Sequence, residues 1–201
     1  REPWIYGEAW MQRVKAVLDR RQQLLPYIYS TAYQVWSEGR PMLRPLFFLD
    51  PADAALRTDT SAFLLGDAIL LAPVTQPLEK EAVKQVRLPK GTWYDAFTLE
   101  RHAGGREVEI PLTLDRFPLF YREGAILPVD AGAGAEGLIL LPGLTPSTFT
   151  VFSDDGETEA YRRGAGEKLR VELDARGVSF SGATRERELV LLLPRSLKLA
   201  Q

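Results

Sequence analysis

The run Met42-Leu43-Arg44-Pro45-Leu46-Phe47-Phe48-Leu49 constrains the fold more than any other segment. It is short and apolar almost throughout. A strand with one wet face would alternate apolar and polar residues, so this pattern predicts a strand covered on both faces, as in a parallel sheet flanked by helices. Such a strand needs parallel neighbours, and the flanking sequence supplies none. Partners upstream of Arg1 are therefore expected, and the chain is expected to begin inside a larger unit. Pro45 cannot donate to a strand ladder and belongs at a strand end or bulge. Arg44 stands inside the apolar run and must be paired, because an unpaired buried charge is very costly. An acid upstream of Arg1 is the expected partner.

The forty residues before this run read as helical. From Trp10, apolar residues recur at Val14, Val17, Leu18 and Leu25, mostly three or four apart, which builds one apolar face. Pro26 interrupts the amide ladder and predicts a kink or a new helix. Ile28, Ala32, Val35 and Trp36 form a second stripe, Gly39 is the expected C-cap, and Pro41 prevents continuation.

After a polar stretch over 50–62 the sequence turns to short strands. Ala68–Val74 follows Gly66-Asp67. Then come Val83, Val86 and Leu88, the turn Pro89-Lys90-Gly91, Trp93–Phe97, the turn Gly104-Gly105, alternating Val108, Ile110 and Leu112, Leu119–Tyr121, and Ala125–Leu127. Short strands with regular turn signals predict an antiparallel β-sandwich or barrel. Ala131-Gly132-Ala133-Gly134-Ala135 is the expected linker. Leu138–Leu141, Thr148–Phe152, Leu169–Leu173, Val178–Phe180 and Leu189–Leu193 predict a second small β-domain.

Composition narrows the function classes. At 201 residues with 45% hydrophobic content the chain can bury a core without staples. With no cysteine it has no disulfide, zinc–thiolate site or cysteine nucleophile. The net charge of −2 and the lack of a basic stripe argue against nucleic acid. No polybasic cluster or membrane-length apolar run points to a membrane.

Several patterns together resemble glycoside hydrolase family 31, the α-glucosidases, α-xylosidases and their relatives. Arg1-Glu2-Pro3-Trp4 is similar to the family's segment after its active-site loops. Arg21 to Tyr29 resembles its R-x-x-L-L-P-Y-x-Y helix, and Gly39 to Leu46 its G-x-P-x-x-R-P-L segment. Gly66-Asp67 with Leu70 to Val74 resembles G-D-x-L-L-x-A-P-V, and Leu88 to Asp95 resembles L-P-x-G-x-W-Y-D. Pro118 to Pro128 is similar to P-x-x-x-R-x-G-x-I-x-P, and Asp154-Asp155-Gly156 with Tyr161 to the D-D-G…Y hairpin of the distal module. The patterns keep the family's order across residues 1 to about 161.

The resemblance implies an α+β fragment that is mostly β. Residues 1–50 would end a (β/α)₈ catalytic barrel, with Met42–Leu49 as its last strand. Residues 51–130 would form a proximal antiparallel β-sandwich and 136–201 a distal β-domain. It also implies retaining hydrolysis of terminal α-linked glucosides or xylosides by two carboxylates about 5–5.5 Å apart. In the family both are aspartates on barrel loops before the segment seen here. None of Asp19, Asp50, Asp53, Asp59 or Asp67 matches either position, so no catalytic, substrate-binding or metal-binding residue is assigned, and no cofactor is implied. Carbohydrate would be met through the barrel. The faces of residues 10–49 that a barrel covers are expected to form an apolar patch and to promote self-association.

Other residues are candidates for chemistry of their own. Glu107 and Glu109 lie two apart and would share one solvated strand face. Asp154-Asp155-Gly156 suits a tight hairpin better than a calcium loop, because Glu157-Thr158-Glu159 lacks the EF-hand spacing. His102, the only histidine, is expected at the surface. Phe47 or Phe48 could line a sugar pocket or pack in a core. Trp93 and Tyr94 could stack on sugar rings or fill a sandwich core. The competing readings for the whole chain are a carbohydrate-binding module and a structural β-domain.

Overall fold

The computed structural model describes residues 2–133, 135–182 and 189–192. A 3₁₀ turn at Pro3–Tyr6 leads into helices α1 (Glu8–Gln23) and α2 (Leu25–Glu38). Then follow β1 (Leu43–Pro45), a 3₁₀ turn at Leu46–Phe48, the short helix α3 (Ala54–Thr58), β2 (Phe63–Leu65), β3 (Ile69–Leu71), β4 (Val83–Leu88), β5 (Thr92–Asp95), β6 (Arg101–Ala103), β7 (Arg106–Pro111) and β8 (Leu119–Arg122). The remainder is β9 (Ile126–Gly132), β10 (Ala135–Leu140), β11 (Ser147–Ser153), a 3₁₀ turn at Ala160–Arg163, β12 (Glu167–Asp174), β13 (Gly177–Ser181) and β14 (Leu189–Leu192). The chain is mostly β with few helices. Neither α1 nor α2 is long and apolar enough to cross a membrane.

The helices follow the predicted pattern. Pro26 sits at the start of α2, where its missing N–H costs nothing, so the ladder breaks at Leu24 and a second helix begins. Gly39 closes α2 in the left-handed region at φ 70, a conformation glycine adopts without a Cβ clash.

The six-stranded sheet has the order β1-β2-β3-β8-β5-β6, and every recorded pairing within it is antiparallel. Its central strands are apolar at consecutive positions because both faces are covered. Leu64, Leu70, Trp93 and Phe120 point to one face, where Val86, Leu88, Val108 and Ile110 of the β4–β7 ribbon complete a core. Ile69, Leu119 and Tyr121 point to the other, where Leu24 and Tyr27 of the helices meet Leu127, Val129 and Leu141. A fully buried side chain of this kind stabilises the fold by about 1.5–3 kcal/mol. Trp93 is wholly buried and its indole N–H donates to Pro89 O at 2.8 Å.

This arrangement corrects the expectation for Met42–Leu49. Among the described residues the run pairs antiparallel and not parallel. Leu43, Arg44 and Pro45 pair antiparallel with Leu65, Leu64 and Phe63, and the chain then turns into a 3₁₀ segment. Within the sheet β1 is an edge strand, which is where a proline without an N–H can stand. An apolar run reports burial on two faces, and here an antiparallel sheet supplies it.

The predicted linker at Ala131–Ala135 is a second correction. Gly132 and Ala135 are paired at the end of the β9–β10 hairpin, with Gly132 at φ 91 and Ala133 at φ 52. Small residues serve this turn because the backbone enters the left-handed region. β9 and β10 join β14 in a three-stranded sheet, with β10 and β14 parallel. A second three-stranded sheet, β11-β12-β13, faces it across Ile126, Leu138, Leu140, Val151, Leu169, Val171 and Leu173. Leu193, the last residue of the predicted final strand, lies outside the described residues.

Candidate functional site

A charged cluster around a buried arginine joins α2, β1 and the β2–β3 turn. Arg44 is fully buried. Its Nε donates to Pro41 O at 2.6 Å and its Nη1 donates to Asp67. Arg40 Nη2 also donates to Asp67, at 2.8 Å to Oδ2. Among the described residues Arg44 is therefore paired by an acid of the following turn. The tight turn brings it there. Gly66 takes φ 60, and a Cβ on it would lie 2.2 Å from the Tyr27 hydroxyl oxygen. Tyr27 Oη donates to Leu65 O at 2.9 Å and accepts from Ala68 N at 3.4 Å. Burial pushes the Tyr27 phenol up to about 12, so it stays protonated as a donor. Arg44 Nη2 is buried without a hydrogen-bond partner among the described residues, while its Nε and Nη1 tie β1 to Pro41 and to the Asp67 turn.

A buried acid, Asp95, is committed to partners of its own. Asp95 is wholly buried, accepting from Phe97 N at 2.8 Å, Thr98 N at 2.9 Å and Arg116 Nη2 at 2.6 Å. Burial alone would raise its pKa. The Arg116 guanidinium and the two amide donors outweigh burial and hold the carboxyl below the usual carboxylate range. Its ionised form thus stabilises the fold above the unfolded-state value, and that contribution is lost as pH falls through the depressed folded value.

The remaining singled-out acids have structural partners. Asp19 pairs with Lys15 at 2.5 Å and Asp50 with Lys90 at 3.0 Å. Asp53 caps α3 through Ala55 N, and Asp59 accepts from Ser61. Glu107 and Glu109 lie exposed on β7 as predicted, held by Arg87 at 3.0 Å and Gln85 at 2.7 Å on the adjacent strand. Among the described residues no group of three or more His, Asp or Glu is placed to hold a metal ion.

Several expectations shift. His102 is half-buried on β6, edge-on to Phe120 at 5.6 Å, and not a plain surface residue. Phe47 packs against the first core, while Phe48 is 41% exposed beside it. Tyr94 packs against the helix-side core, so neither Trp93 nor Tyr94 offers a free ring face to a sugar. Asp154-Asp155-Gly156 is not a tight hairpin, because the strand pairs end at Ser153 and Glu167 and the intervening chain includes a 3₁₀ turn. Asp155 instead organises this loop, accepting from Glu157 N, Thr158 N and Thr158 Oγ1.

Two features escaped the sequence reading. The first is a stripe on α2, Tyr29, Tyr33 and Trp36, which meets the second small sheet. Tyr33 stacks on Phe152 at 3.7 Å, Trp36 meets Tyr161 edge-on at 5.3 Å, and Ser30 Oγ accepts from Phe152 N at 3.0 Å. The spacing of four and three was legible, but its partner strand lay more than a hundred residues away. The second is a cavity of about 480 Å³ between the α1–α2 junction and the β9–β10 hairpin, floored by Leu25, Val129, Leu138 and Phe152 with Asp130 and Asp154 at its margin. A further cavity of about 450 Å³ lies beside Arg40, Asp67, Thr92, Arg122 and Ser147.

The first turn and α1 expose a run of large apolar side chains. Trp4, Ile5, Tyr6, Trp10, Val17 and Leu18 are all 46–65% exposed, and α1 has no buried residue.

Residues 39–127 match the Glycosyl hydrolase family 31 C-terminal domain. The chain is 38% identical over 138 residues to neutral alpha-glucosidase C of Mus musculus, covering 68% of this chain and 15% of that protein. It is 35% identical over 173 residues to the alpha-xylosidase of Saccharolobus solfataricus, covering 82% and 23%. It superposes with a TM-score of 0.83 on the GH31 alpha-xylosidase from Xanthomonas citri at 26% identity, covering 93% of this chain and 22% of that one. The fold is shared with the Flavobacterium johnsoniae GH31 dextranase at a TM-score of 0.86 and 24% identity, over 98% of this chain and 27% of the other. The chain spans less than a quarter of the length of these curated relatives.

The Arg44–Asp67 pair makes an asymmetric prediction. Asp67→Asn strands a buried guanidinium and should cost about 3 kcal/mol in urea unfolding, the low end for a broken buried pair because Asp67 is itself 43% exposed. Arg44→Met fills the same space without a charge and should cost clearly less. Equal losses would contradict the buried-charge account.

Proposed function

The chain belongs to glycoside hydrolase family 31, and we propose that it is the C-terminal portion of a retaining α-glycosidase acting on terminal α-linked glucosides or xylosides, where it supports the catalytic barrel and does no chemistry itself. The observation that carries this reading is the apolar face of the first turn and α1, left in water beside a well-packed core. Six large apolar side chains exposed in one segment mark a surface that a partner covers. The relatives are several times longer than this chain, and the length they add is the natural occupant. In this division the helical part of residues 1–50 closes the barrel, although β1 belongs to the neighbouring sheet. Residues 51–130 form the proximal β-sandwich and 136–201 the distal β-domain.

The acids support the same reading. Buried Asp95 and half-exposed Asp67 are neutralised by arginines, and the other acids described above are held by lysines, strand partners or loop amides. A retaining glycosidase needs a nucleophile and an acid/base facing one anomeric carbon. The proposed site of both is the barrel, which would also be where carbohydrate binds and specificity is set. The support role rests on Ser30, Tyr27 and Tyr33, through which α2 grips both β-units and gives the barrel a rigid floor.

Two measurements check this. The 201-residue chain should release no nitrophenol from p-nitrophenyl α-glucoside or α-xyloside above buffer; turnover in a clean preparation would overturn the proposed division of labour. On a sizing column the isolated chain should run larger than a monomer through the exposed α1 face. Leu18→Glu should return it to monomer size, and a strictly monomeric profile of the unaltered chain would count against that face as a contact surface.

A further inference from the structure

We propose that the aromatic cleft between the C-terminal half of α2 and the loop after β11 binds one pyranose unit of an α-linked oligosaccharide. The choice of sugar rests on the family reading above; the cleft itself rests on its own geometry. Tyr29, Tyr33, Trp36, Phe152, Asp154 and Tyr161 line a cavity of about 180 Å³, on the scale of a single sugar ring. The Tyr33–Phe152 stack fixes one side to the sheet. Trp36 remains 47% exposed and Tyr29 39% exposed, so their rings are only half used by the fold. Pyranoses present apolar C–H faces that pack on such rings, and hydroxyl groups that need acceptors at the edge.

Asp154 supplies the acceptor. Its Oδ1 takes the Tyr29 hydroxyl at 2.5 Å and Gly156 N at 2.9 Å. Its Oδ2 is buried and has no hydrogen-bond partner among the described residues. A carboxylate oxygen closed from water without a donor is costly, and a ligand hydroxyl would satisfy it. The Tyr29 bond also fixes the carboxylate's orientation before any ligand arrives.

The surrounding charges select against other ligands. Asp155, Glu157 and Glu159 follow Asp154 on the same loop and disfavour an anion. Lys168 Nζ lies 5.3 Å from the Tyr33 ring and the Arg162 guanidinium 6.0 Å from the Tyr161 ring, so cations already occupy these π-systems and oppose a further one. A neutral, hydroxyl-rich ring with two apolar faces fits what remains.

The test is calorimetric titration of the 201-residue chain with maltotriose. Saturable binding is expected with a Kd on the order of 1 mM, as suits a shallow single-ring site. Trp36→Ala should weaken it about tenfold or more, Trp36→Phe should keep part of it, and Trp10→Ala on the distant α1 face should leave it unchanged. Asp154→Asn should weaken it while melting temperature shows the variant folded. No saturable heat with maltotriose, heat with choline in its place, or binding undiminished in Trp36→Ala would each overturn the proposal. Failure here leaves the support role standing, because that role is read from catalysis and self-association and not from this cleft.

Discussion

The fold depends on one joint, the turn at Gly66-Asp67 and what it grips. Gly66 lets the backbone pass against the Tyr27 hydroxyl with no room for a side chain. Tyr27 then bonds to both sides of that turn, at Leu65 O and Ala68 N. Asp67, presented by the same turn, neutralises Arg44 from the edge strand and Arg40 from just beyond the helix. One four-residue region therefore fixes a helix, an edge strand and a central hairpin. The energetic logic is that of a buried charge: Arg44 need not add stability over an apolar residue, but once buried it makes any other arrangement expensive.

From that joint helix α2 acts as a strut. Its Tyr27 side packs on the six-stranded sheet, and its Ser30 and Tyr33 side takes hold of Phe152 in the second small sheet. The two β-units are thus clamped to one helix as well as joined by the β9–β10 hairpin. This explains why α1, which contributes no buried residue of its own, can still be presented in a fixed position. A rigid platform with an apolar outer face is what a much larger neighbouring domain needs from its support.

The sequence disclosed local structure well and partnership poorly. The proline at position 26 and glycine at position 39 mark both ends of α2 correctly, because each acts through its own backbone. The short strands were legible from their apolar runs and turn residues. Met42–Leu49 misled because an apolar run reports how many faces are covered and not the direction of the neighbouring strand; Pro45 was the truer signal, and it marked an edge. Ala131–Ala135 read as a linker because small residues serve both flexible segments and tight turns. Arg44 announced that it needed a partner, but only the fold could say that Asp67 was the one. The aromatic cleft was invisible for the same reason: Trp36 and Tyr161 are brought together by the packing of α2 on β11, which no local pattern encodes.

The central claim is that this chain is the supporting end of a longer glycosidase. The most direct measurement is the intact mass of the native protein that carries it, purified by following α-glycosidase activity and identified by peptides from residues 1–201. The account predicts a single polypeptide several times heavier than 22.5 kDa, with these peptides at its C-terminal end. A native protein of 22.5 kDa that carries the activity by itself would contradict it.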